Sequence, residues 1–118
     1  WIDACMSITK LPIEQLKGHD IVAYKHGKRN TARAEADYAS KRGGFDPRWK
    51  KYTEGLRIQK TMDCPDWLAV TGYLVSKRSD KVCKMNDQWF ADIIHYSPQC
   101  QVSFPMACQS ADIDVNLL

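Results

Sequence analysis

The apolar positions of this chain change period several times, and each change marks an element. Ile2, Ala4, Met6 and Ile8 alternate with Asp3, Cys5, Ser7 and Thr9, the two-residue period of a half-buried strand. Pro12 opens a turn or helical turn that Gly18 ends. Within residues 19–24, Ile21, Val22 and Tyr24 make a β-rich run closed at His26-Gly27, a second strand. Asn30 is placed to cap a helix over residues 31–42, stopped by Gly43 and Gly44. The apolar side of that helix is mostly alanine (Ala32, Ala34, Ala36, Ala39) with Tyr38, so it buries little and belongs at the edge of the fold. Asp46-Pro47 starts a second, short helix carrying Trp49, Tyr52 and Leu56 on one face.

Downstream the pattern returns to strands. Leu56, Ile58 and Met62 alternate with Arg57, Gln59 and Thr61, and the apolar, β-rich run 67–75 predicts the central strand, with Gly72 as a bulge or a point of close backbone approach. Residues 88–96 fit two elements. Trp89 with Ile93 and Phe90 with Ile94 have helical spacing behind a cap at Asn86 or Asp87, while Phe90, Ile94 and Tyr96 suit a strand, the reading favoured here. Val102, Phe104, Met106 and Cys108 alternate with Pro105 as an edge residue, and Ile113, Val115 and Leu117 alternate again. Six or seven strands with two helices grouped in one place predict an α+β fold: a mainly antiparallel sheet or small β-sandwich with two short helices on one side.

At 118 residues, 44% hydrophobic and 26% charged, the composition is that of a folding chain and predicts a single domain over 1–118, with residues 25–55 as a basic helical excursion from the sheet. No apolar run approaches the roughly 18 residues that cross a bilayer, so no membrane is expected as partner. The chain begins at Trp1, which predicts either a processed end or a boundary within a longer protein.

Cysteine usage adds a compartment. Cys5, Cys64, Cys83, Cys100 and Cys108 exceed what a reduced domain of this size usually carries, which predicts two disulfides with one free thiol and an extracellular location. The alternative is a cytoplasmic protein with all five reduced.

Charge is unevenly placed. Residues 25–51 hold nine Lys or Arg against Glu35, Asp37 and Asp46, whereas beyond Lys84 there is no Lys or Arg and Asp87, Asp92, Asp112 and Asp114 are acidic. The basic segment therefore either draws an anionic partner or is neutralised by the acidic end of its own chain.

Candidate chemistry is sparse. Cys83, His95, Cys100 and Cys108 lack the close pair that pre-forms half a zinc site, so no metal or cofactor is expected. His19, His26 and His95 are the groups a metal-free ribonuclease would need, beside a lysine for the phosphate oxyanion. Gly18-His19-Asp20-Ile21-Val22-Ala23-Tyr24 resembles the histidine box of ubiquitin-specific proteases, but the matching cysteine box is missing. Cys64-Pro65-Asp66-Trp67-Leu68-Ala69 is similar to a short stretch near the end of small β-sandwich effectors secreted by plant-pathogenic fungi; it covers six of 118 residues, and no family is assigned from it.

By subtraction, the sequence predicts a non-enzymatic interaction module, of effector, toxin or inhibitor type, recognising an acidic patch on a protein partner. Its binding residues are expected to be Lys28, Arg29, Arg42, Arg48, Lys50 and Lys51. The same cations serve the alternative, a nucleic-acid-binding protein.

Overall fold

Gly18 adopts φ +89°, a left-handed conformation that a residue without Cβ enters freely, and turns the chain out of a 3-10 turn at Glu14–Leu16 into strand β1, Ile21–Lys25. The computed structural model describes residues 6, 7, 9–41, 65–95 and 99–118. After β1 come helix α1 (Ala32–Lys41), strand β2 (Ala69–Ser76), helix α2 (Asp80–His95), helix α3 (Cys100–Ser110) and strand β3 (Val115–Leu117).

The described strands make a three-stranded sheet in the order β2-β1-β3, with β1 antiparallel to β2 and parallel to β3. The α+β class is observed. The sheet, however, is mixed instead of mainly antiparallel, and it is covered by helices where a second sheet was expected. Three helices are present among the described residues instead of two. Within this sheet the central place belongs to β1; the run expected to be central forms the edge strand β2. The expected strand at residues 2–8 lies almost wholly outside the described residues, as do the helix after Pro47 and the strand at 56–62.

The largest departure is α3. Residues 102–108 are all buried, so the small residues Ser103, Pro105 and Ala107 between the larger ones are as much core as Val102, Phe104 and Met106. An apolar run of this kind carries no usable period, and a helix buried on every side looks the same as a strand. Pro105 removes one backbone donor inside the helix, whose i−4 acceptor would have been the Gln101 carbonyl. The helix ends in a Schellman turn: Asp112 takes φ 51°, its N–H reaches the Gln109 carbonyl at 3.1 Å, and the Ile113 N–H reaches Cys108 at 2.9 Å. That reversal aims the chain back into β3 beside β1.

Residues 88–95 are likewise helical, because α2 begins well before the expected cap. Ser79 starts it, its hydroxyl accepting the Val82 N–H at 3.2 Å. Val82, Met85 and Trp89 then face the core, while Phe90 and Ile94 point to solvent. One apolar cluster joins Ile21, Ala23, Ala69 and Leu74 of the sheet to Val82, Met85, Phe104 and Cys108. A second, smaller one joins Ala36 of α1 to Val102 and Met106 on α3. Helix α3 is thus the hub, with α2 on one flank, α1 on another and the sheet beneath.

β1 and β2 do not pair evenly. Ala23 lies opposite Leu74, but the next residue, Tyr24, lies opposite Val70, so residues 71–73 are extra on β2. The irregularity contains Gly72, where the sequence predicts one.

Candidate functional site

Helix α1 carries part of the basic excess, and its local design explains which cations remain outside. Thr31, one residue beyond the expected Asn30, caps it by accepting the Ala34 N–H at 3.1 Å. Ala32, Ala36 and Ala39 form the buried side. These methyl groups bring the helix close to α3 while burying little area, which leaves Arg33 and Lys41 on the exposed side with Lys28 in the preceding loop.

Glu35 interrupts the alanine stripe and is 1% exposed. A carboxylate so placed is tolerable only if held by charge and hydrogen bonds. Arg29 Nε binds one of its oxygens, and Gln99 Nε2 donates to the other at 2.7 Å. The Arg29 guanidinium also covers the Tyr38 ring at 4.1 Å from its centroid, a cation–π contact. Nδ1 of His26 accepts the N–H groups of Lys28 (3.2 Å) and Arg29 (3.0 Å). Those bonds need the lone pair on Nδ1 and put the proton of the neutral ring on Nε2, so the 3.4 Å approach of Arg29 Nη2 to Nε2 joins two donors and is a contact only.

Of the six residues expected to bind a partner, Lys28 is exposed and Arg29 is turned inward onto Glu35. Arg42, Arg48, Lys50 and Lys51 lie outside the described residues. The Glu35–Arg29–Gln99 cluster was not anticipated, although an acid at the same helical phase as Ala32, Ala36 and Ala39 is the signal that marks it.

The acidic end of the chain finds partners elsewhere. Asp114 pairs with His19 at 2.9 Å, and Asp112 approaches Lys81 at 4.0 Å. Asp20 joins the same corner: it accepts the Asp114 N–H at 2.9 Å and the Lys81 ammonium at 2.9 Å. The backbone donor first, and then Lys81, hold the Asp20 carboxyl below its usual range, while the bond to Asp20 raises Lys81. Asp92 is buried on α2 beside Gln88 at 2.9 Å.

The histidines are scattered. His19 precedes β1 and His26 follows it, so the strand, about 13 Å long at strand rise, lies between them, and His95 ends α2, exposed. Among the described residues no group of three or more His, Cys, Asp or Glu is arranged to hold a metal ion, and no helix is long and apolar enough to cross a membrane.

The cysteine expectation is corrected. Cys83, Cys100 and Cys108 are free thiols, and two disulfides need four partners. Cys5 and Cys64 lie outside the described residues. The geometry gives the reason. Cys83 is exposed on α2, whereas Cys100 and Cys108 occupy opposite ends of α3, eight residues or about 12 Å apart, beyond the reach of a disulfide. Burial pushes the Cys108 thiol up to about 12, so it acts as a small core side chain. Cys100 Sγ meets Thr71 Oγ1 at 3.0 Å.

No protein-family model, curated protein or solved structure matches this chain.

Proposed function

We propose that the protein is a non-enzymatic interaction module that binds an acidic protein surface through the outer side of α1 and the loop before it. One observation carries the reading. The basic segment is divided, with Arg29 neutralised inside by Glu35, while Lys28, Arg33 and Lys41 are exposed and make no ion pair among the described residues. Such a one-sided set of cations steers and orients an anionic partner. A protein is favoured over a nucleic acid because Tyr38, on the same helix as Arg33 and Lys41, has a ring face covered by Arg29 and closed to a stacking base. The distance between His19 and His26 weighs against their flanking one phosphodiester.

The test compares poly-glutamate with mixed-sequence RNA of equal charge, each across a salt series. The reading expects salt-sensitive binding of the acidic polypeptide, abolished by combining Lys28→Glu, Arg33→Glu and Lys41→Glu, and RNA bound no more tightly. Tighter RNA binding with a steeper salt slope would replace it with the nucleic-acid alternative. Cleavage of RNA in EDTA between about pH 5 and 8 would make the protein a nuclease.

A further inference from the structure

The irregular pairing of β1 with β2 has a second product. With residues 71–73 extra on β2, Tyr73 comes beside Tyr24 of β1, their ring centroids 5.6 Å apart and tilted by 48°. The chain entering the fold lies over them, and the Tyr73 hydroxyl donates to the Lys10 carbonyl at 3.4 Å. Between these pieces is an open cavity of about 390 Å³. Tyr24, Tyr73, Val70 and Met6 supply its apolar wall, and Ser7, Thr9 and Lys10 its polar rim.

Three properties of this groove define what fits. Its volume lies in the range of small-molecule sites, roughly 300–1,000 Å³. Its wall offers aromatic faces: Tyr73 is nearly buried, but Tyr24 is 44% exposed, a large ring left open, and its hydroxyl has no hydrogen-bond partner among the described residues. Among the described residues its lining includes one cationic residue, Lys10, and no carboxylate. Lys10 makes no ion pair among the described residues. A flat ring satisfies the tyrosines, and a negative group satisfies Lys10 and the neighbouring hydroxyls. A cationic ligand would be repelled, and a branched aliphatic one would forgo the stacking.

We propose that this groove is a binding site for a small planar organic anion, an aromatic carboxylate in chemical class, with its ring against Tyr24 and its carboxylate toward Lys10. The site is independent of the cations on α1, which belong to another element.

Titration of the labelled protein with naphthoate, followed by amide chemical shifts, tests it. Saturable shifts are expected at Lys10, Tyr24, Val70 and Tyr73. The neutral naphthalenemethanol and the non-planar cyclohexanecarboxylate should each bind about tenfold more weakly. Lys10→Met and Tyr24→Ala should each weaken naphthoate about tenfold; Tyr24→Phe, which keeps the ring, should retain most of the affinity, so a folding defect in the alanine variant is distinguishable. Shifts centred elsewhere, a linear unsaturated response, or equal binding of the anion and its neutral analogue would overturn the assignment.

Discussion

The two flanks of α3 are held by different forces. On the α2 side, large side chains meet: Phe104 is fully buried, with the Trp89 ring at 4.9 Å and the Trp67 ring at 6.1 Å between centroids, and Met85 and Val82 complete the contact. Trp89 adds a bond from Nε1 to the Cys100 carbonyl at 2.9 Å. On the α1 side the contact is alanine against Val102 and Met106, with little area to remove from water. What ties that flank is the Glu35–Arg29–Gln99 cluster, which joins α1, the loop before it and the start of α3. One flank is therefore held by volume and the other by polar geometry, and the outer side of the polar flank presents Arg33 and Lys41 to solvent.

This contrast is sharpened by removing each kind of support in turn. Phe104→Ala should be the most damaging change, costing about 3–5 kcal/mol in denaturant unfolding, because the two tryptophans cannot collapse into the space. Glu35→Ala should cost about 2–3 kcal/mol, less than a fully buried pair because Arg29 is partly exposed, and pairing it with Arg29→Met should recover part of the loss. If Glu35→Ala is silent, the α1 flank is held by its alanines and the contrast fails.

The corner that closes β1 against β3 should respond to pH. The folded-state pKa of Asp20 lies below its ordinary 3.8, so its contribution is present above that value and is lost as pH falls through the folded one. Asp20→Asn should therefore cost about 1 kcal/mol from about pH 5 upward, and its unfolding curve should merge with that of the parent in acid. A gap that persists in acid would show that the charge of Asp20 is not what matters. The smallest effect is expected on the outer side of α1, where Arg33→Glu should change stability by less than about 0.5 kcal/mol. A larger loss would mean that Arg33 is structural and not free for a partner.

Legibility of the fold followed how local each signal was. β1, the Gly18 turn, α1 to within a residue or two, the irregularity around Gly72 and β3 were all readable from periods and turn residues. The helices α2 and α3 were read as strands over part or all of their length because their apolar positions are shared by both periods, and burial on all sides of α3 erases the alternation that separates them. In the candidate site, the basic character of residues 25–41 was evident, but the inward turn of Arg29 was not, since it follows the buried Glu35, whose other oxygen is bound by Gln99, 64 residues away.

Sequence alone determined the α+β class, the places where the chain turns, and the excess of cations ahead of the acidic end beyond Lys84; these follow from backbone preferences and formal charges, which each residue carries wherever it is placed. Tertiary structure alone decided the central position of β1, the helical state of residues 100–110, the free thiols, and which cations face water. Those outcomes depend on which distant side chain fills a volume or satisfies a buried charge, and packing of that kind has no period along the chain.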